Sequence, residues 1–239
     1  MQVLAIGNSF TQDATAYLSK IAECAGVPLT VVNLYIGGCT LERHYRNMLA
    51  KKREYSLEFN GQTTGFFTSI NEALLSRDWD AVVIHQASRA ALDFNNFTPY
   101  LSELADYVRI CCPCAKLYMH QTWASDVVSG KTLTELGFAT RKELHEVFRS
   151  VCSKAADEIK ADGIIKSGEI MQKLSKKGID RLYRDGFHAT YDIGRYAIAL
   201  TWFKALTGKS VLENSFRCPV GEITTKEYEI IKNCAEEIK

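Results

Sequence analysis

The chain alternates short apolar runs with longer stretches in which apolar residues recur every three to four positions. Residues 3–6, 29–35, 81–85, 116–120 and 163–165 form the short runs, most of them rich in β-branched side chains, and they read as strands buried on both faces. Between them lie helical patterns. Residues 13–25 place Ala14, Tyr17, Leu18, Ile21, Ala22 and Ala25 on one face of a 3.6-residue period. Residues 40–50, 97–112 and 141–160 behave alike, and 191–207 closes on Gly208, a helix stop. A last amphipathic stretch, 225–238, follows Thr224-Thr225. Residues 55–67 depart from the alternation, and Asn60-Gly61 between apolar neighbours predicts a small β-hairpin there. The pattern as a whole predicts an α/β fold around a central, mostly parallel sheet of five strands. No Pro/Gly/Ser-rich linker, repeat or low-complexity tract divides the chain, so residues 1–239 are expected to form one domain.

Composition narrows the function classes. The 239 residues are 46% hydrophobic and 24% charged, enough to bury a substantial core. A net charge of +1 gives no electrostatic reason to expect nucleic acid or an anionic membrane surface. The run Lys51-Lys52-Arg53 reads as a solvated helix end. No segment approaches the roughly 18–20 apolar residues that would span a bilayer. The first apolar residues lack a charged n-region and a cleavage pattern, and read as a strand in place of a signal peptide. Eight cysteines are scattered along a chain far longer than a small disulfide scaffold. Cys111-Cys112-Pro113-Cys114 has no second ligand pair at zinc-site spacing, so no metal site is expected. Free thiols fit a reducing, cytoplasmic compartment, with a trimmed exported protein left open.

In open parallel sheets ligands bind beyond the carboxyl ends of the strands. Gly7-Asn8-Ser9 follows the first strand, Gly37-Gly38-Cys39 the second, Gln86-Ala87-Ser88 the third and Gln121-Thr122-Trp123 the fourth. Gly7-Asn8-Ser9 alone reads two ways: a strand-to-helix turn with a capping residue, or a nucleophile turn. The elbow G-x-S-x-G is absent, because Thr11 fills its last position, which argues against an α/β-hydrolase. Asp185-x-x-His188, on a loop entering a helix, is more informative. A serine hydroxyl needs a base to take its proton, and that base needs its other ring nitrogen held by an acceptor. Its alternative is a helix-capping Asp beside an incidental His. His44 and His145 fall on amphipathic helices and are expected to be partly exposed, whereas His85 and His120 end strands and either bond within the core or support a site.

Taken in order, Gly7-Asn8-Ser9, Gly38, the amide of Gln86 and the late Asp185-x-x-His188 resemble the four blocks of the SGNH/GDSL hydrolases over nearly the whole chain. The resemblance implies a flavodoxin-like, three-layer α/β/α fold. It implies Ser9 as nucleophile, His188 as base and Asp185 as its orienting partner. It further implies an oxyanion hole built from the N–H groups of Ser9 and Gly38 and one side-chain amide. Two positions depart from the family pattern. Asn8 replaces the Asp of G-D-S, and His85-Gln86-Ala87-Ser88 stands where G-x-N-D is usual. The latter resembles an H-Q-G-E variant of carbohydrate acetylesterases, which makes Gln86 the amide donor, with Ser88 or Arg89 as alternatives. Residues 164–174 resemble the strand-to-helix passage before the catalytic loop, where Ser167 and Glu169 read as capping residues.

The expected function is therefore a serine esterase removing acyl groups, O-acetyl in particular, from a small-molecule or glycan ester. The resemblance implies no metal or organic cofactor. Phe10, Tyr35 and Trp123 lie near strand ends and read either as sugar-stacking residues or as core aromatics. Three rival readings stay open: a flavodoxin-like module holding a flavin phosphate, a glycan-binding module without turnover, and an SGNH enzyme acting on lipid or other small esters. A flavin site has no use for Asp185-x-x-His188.

Overall fold

In the computed structural model, which describes all 239 residues, the five expected strands pair in parallel. They are β1 (Gln2–Gly7), β2 (Thr30–Tyr35), β5 (Ala81–His85), β6 (Lys116–His120) and β9 (Gly163–Ile165). Their side chains alternate between two cores. In β1, Val3 and Ala5 point to one and Leu4 and Ile6 to the other. Burial on both faces is why these strands read as unbroken apolar runs.

Helices α1 (Ser9–Thr15), α2 (Leu18–Cys24), α7 (Ser167–Lys176), α8 (Ile193–Thr207) and α9 (Thr225–Glu236) cover one core. Helices α3 (Leu41–Leu49), α4 (Ile70–Leu75), α5 (Tyr100–Cys111) and α6 (Arg141–Glu158) cover the other. The result is a three-layer α/β/α sandwich. In register, Gly7 lies beside Tyr35 and His85 beside His120, so the carboxyl ends of the parallel strands share one rim.

Three local expectations change. The sheet has seven strands, not five, because β3 (Tyr55–Phe59) and β4 (Gln62–Thr68) extend it beyond β2 in antiparallel fashion, in the order β4-β3-β2-β1-β5-β6-β9. The expected hairpin is thus part of the main sheet. The helix expected over 13–25 is two helices, and the first begins at Ser9, four residues earlier. At the break the Thr15 hydroxyl donates to the Thr11 carbonyl, and Gly61 of the hairpin packs directly against Ala16. Helix α4 was not expected; at six residues it is too short for periodicity, and its signal is the capping box of Ser69 and Glu72.

His44 and His145, expected to be partly exposed, are buried under their helices, and His44, His85 and His120 each have one ring nitrogen lacking a partner. Burial lowers the pKa of His44 to about 3 and that of His85 to about 4, and drives His120 well below its ordinary value. Unfolded imidazoles take up protons near pH ~6.5, while the folded ones stay neutral to much lower pH. Their contribution to stability is therefore full above that value and lost as pH falls from about 6.5 towards about 4. Urea denaturation is expected to show a midpoint that is level near neutrality and declines across that window. A midpoint unchanged down to about pH 4.5 would contradict this.

Candidate active site

The turn after β1 places Ser9. A Cβ on Gly7 would meet the Thr11 side chain at 2.4 Å, so glycine alone permits the tight entry into α1. Asn8 caps that helix, its Oδ1 accepting from the Phe10 N–H at 3.0 Å. Its Nδ2 reaches across to donate to the Cys39 carbonyl at 3.1 Å. One amide thus ties the Ser9 turn to the Gly37-Gly38 loop after β2. Gly38 has φ +61°, a left-handed conformation that glycine adopts freely. The N–H groups of Ser9 and Gly38 have no acceptor within the protein.

The loop between α7 and α8 brings His188 to Ser9. Asp185 shapes it: Oδ1 accepts from the N–H groups of His188 at 2.9 Å and Phe187 at 3.3 Å, with Gly186 at φ +89°. The other oxygen, Oδ2, lies 2.6 Å from His188 Nδ1, and His188 Nε2 lies 2.8 Å from Ser9 Oγ. Burial raises the Asp185 carboxyl, but the hydrogen bonds from His188 and the loop N–H groups outweigh it and leave its pKa below the usual carboxylate value. An ionised Asp185 fixes the Nδ1–H tautomer, which leaves the Nε2 lone pair facing the Ser9 hydroxyl. Phe187 packs on the His188 ring at 4.0 Å between centroids, and its carbonyl accepts from Trp123 Nε1 at 2.7 Å.

A second junction lies one helical turn beyond Ser9. Asp13 is completely buried and accepts from Arg184 Nη1 at 2.9 and 3.0 Å, Arg195 Nε at 2.9 Å and the Ala189 N–H at 3.0 Å. Burial pushes its carboxyl up, and the guanidiniums of Arg195 and Arg184 pull it back only in part, so its pKa stays above the ordinary carboxylate value. Four hydrogen bonds from three donors fit a carboxylate that only accepts. Arg184 and Ala189 flank His188, so Asp13 anchors the loop that carries the histidine to the helix that carries the serine. The sequence held one signal for it: an acid on the apolar face of an amphipathic stretch.

Ser9, His188 and Gly38 open on a cleft of about 580 Å³, lined also by Tyr35, Thr40, Ser88, Arg89, Asn96, Ser129 and Phe187. Ser129 comes from the tip of a short hairpin, β7 (Val127–Val128) and β8 (Lys131–Thr132), and lies 3.5 Å from the Ser88 hydroxyl. A larger cavity, about 840 Å³, sits between Tyr17, Lys20 and the β3–β4 hairpin and contains none of these groups.

Two expected site residues are displaced. Gln86 is buried and tied to backbone on both sides: Oε1 accepts from the N–H groups of Leu41 at 3.0 Å and Ala87 at 2.9 Å, and Nε2 donates to the Asn96 carbonyl at 3.0 Å. It lies outside the lining of the cleft that Ser9 and Gly38 open on, and instead pins the start of α3, next to the Gly38 loop. Trp123 is fully buried and stacks on Phe10 with ring centroids 3.8 Å apart, so it forms the floor beneath the site and is out of reach of a substrate. Phe10 reaches the cleft lining but is itself 97% covered, wedged between Trp123 and His85. Tyr35 keeps an accessible face in the cleft. His85 and His120 bond within the core, His85 Nδ1 to the His120 carbonyl and His120 Nε2 to the Ser167 hydroxyl.

Comparison with known proteins adds to this picture. The chain matches the family described as "Domain of unknown function (DUF4886)" over residues 2–238. A crystal structure of a DUF4886 family protein from Bacteroides uniformis is 32% identical, covers 99% of this chain and 93% of its own, and superposes with a TM-score of 0.91. TesA, at 16% identity, covers 87% of this chain and 99% of its own with a TM-score of 0.58. A GDSL-like lipase from Bacteroides thetaiotaomicron, at 13% identity, covers 87% and 88% with a TM-score of 0.51. The fold is therefore that of the SGNH/GDSL hydrolases. No curated protein matches the sequence.

Two substitutions probe the scaffold. Asp13→Asn leaves two guanidiniums short of a buried counter-charge and is expected to cost about 3–5 kcal/mol by chemical denaturation. Gln86→Ala strands two N–H groups and a carbonyl and is expected to cost at least ~2 kcal/mol. Wild-type midpoints in either variant would remove that residue from the framework described.

Proposed function

This chain belongs to the DUF4886 family, and we propose that it is a serine ester hydrolase in which Ser9 is the nucleophile, His188 the general base and acid, and Asp185 its orienting partner. The observation that carries the reading is the unbroken hydrogen-bonded series Ser9–His188–Asp185, opening on a cleft beside two free N–H groups. Structural likeness to GDSL-type hydrolases supports the same chemistry.

Ser9 Oγ attacks the ester carbonyl while His188 Nε2 takes its proton. Negative charge then develops on the carbonyl oxygen, where the N–H groups of Ser9 and Gly38 receive it. Removing one such donor typically costs about 10²–10³ in rate. His188 returns the proton to the leaving alkoxide, and the acyl group stays on Ser9. Water, deprotonated by His188, attacks the acyl-enzyme, and Ser9 departs with the proton restored. Asp185 stabilises the imidazolium in both steps.

The preferred substrate is a short acyl ester, such as O-acetyl, on a polar alcohol such as a carbohydrate. Polar side chains dominate the mouth of the cleft: Thr40, Ser88, Asn96 and Ser129 can exchange hydrogen bonds with hydroxyls, while Tyr35 offers an aromatic face.

p-Nitrophenyl acetate is expected to be hydrolysed faster than p-nitrophenyl octanoate. Ser9→Ala and His188→Ala are each expected to lower kcat/KM for the acetate by about 10⁴-fold or more, with the fold retained by circular dichroism. Turnover unchanged in Ser9→Ala would overturn the mechanism, and a preference for the longer chain would overturn the substrate class.

A further inference from the structure

Arg89 follows β5 on the loop that borders the catalytic cleft, is one of the residues lining it, and is exposed. Each of the other arginines is occupied. Arg184 and Arg195 bind Asp13, Arg181 binds Asp192 and Glu227, and Arg217 bonds to carbonyls and lies over Tyr228. The rest, nearer the surface, likewise pair with a carboxylate or donate to an oxygen. Arg89 alone makes no hydrogen bond, no ion pair and no aromatic contact.

No carboxylate lines the cleft to neutralise it. Asp185, the acid closest to the reaction, is engaged by His188 and its own loop. Arg89 is thus an exposed cation in the lining of the cleft whose donors no group of the protein occupies. A planar guanidinium matches a carboxylate or another oxyanion in two parallel hydrogen bonds.

From this, we propose that Arg89 selects esters bearing an anionic group, a carboxylate in the first instance, close to the scissile bond. The inference rests on the esterase reading and deepens it: the substrate is an acyl ester of an acidic compound, or the ester of an acyl group that itself carries a second acid. Arg89 sets KM by binding the anion and takes no part in bond cleavage.

Two matched ester pairs separate the two placements of the charge. For the acyl side, 4-nitrophenyl hydrogen succinate is compared with its methyl ester, the non-enzymatic rate being subtracted. For the alcohol side, 4-acetoxybenzoate is compared with methyl 4-acetoxybenzoate. In at least one pair the wild type is expected to favour the anionic member about tenfold in kcat/KM, through KM, in line with a charge-assisted hydrogen bond. Added salt is expected to shrink the preference. Arg89→Met is expected to bring that ratio close to one, and Arg89→Lys to retain part of it; the ratio within a pair cancels any general loss of activity. Ratios at or below one in both pairs, or a ratio unchanged in Arg89→Met, would overturn the proposal. Failure to hydrolyse any of these esters or p-nitrophenyl acetate would be a failure of the esterase reading instead. Calorimetric binding of intact 4-acetoxybenzoate would then decide: weakening of several-fold in Arg89→Met supports the anion site, and equal binding overturns it.

Discussion

Ser9 and His188 are separated by 179 positions in the chain and by 2.8 Å in space. Two constraints impose that approach. The parallel sheet brings the end of β1 and the α7–α8 loop to the same rim, which fixes their neighbourhood to within several ångströms. The buried Asp13 carboxylate then supplies the finer adjustment, because its bonds to Arg184, Arg195 and the Ala189 N–H join the helix of the serine to the loop of the histidine. A buried charge of this kind carries a desolvation cost, and its bonds are directional. It is therefore a poor way to add stability and a good way to specify one geometry.

The same division of labour runs through the rest of the site. Asn8 joins the nucleophile turn to the Gly38 loop, Gln86 joins that loop's helix to the strand-end segment after β5, and the Trp123 indole joins the floor to Phe187. Each is a buried polar group with its bonds satisfied by backbone of a neighbouring loop. Residues that look catalytic by position are in these cases the ties between loops, and Ser9 and His188 are left partly exposed on top of them.

This explains what could be read in the sequence and what could not. The five parallel strands were legible because burial on both faces leaves an apolar run with no ambiguity of face. That Ser9, Asp185 and His188 would meet was legible from Asp185-x-x-His188 and the strand-end position of Ser9, and the three side chains are hydrogen-bonded in series. The role of Gln86 was not, since an amide after a strand looks identical whether it faces the cleft or the interior; only the positions of Leu41, Ala87 and Asn96 decide. Trp123 presents the same ambiguity for an aromatic side chain. The β3–β4 hairpin was legible through Asn60-Gly61, but its joining of the main sheet was not, because pairing depends on an edge of β2 that local pattern does not describe. The split of the first helix likewise falls where Gly61, distant in sequence, packs against Ala16.

An activated Ser9 can be trapped without reference to any natural substrate. The protein is incubated with a p-nitrophenyl alkylphosphonate, digested, and the adduct located by mass spectrometry. The account predicts a single phosphonyl group on Ser9, formed rapidly in the wild type and strongly suppressed in His188→Ala. Labelling at another residue, or labelling of Ser9 at the same rate without His188, would contradict it.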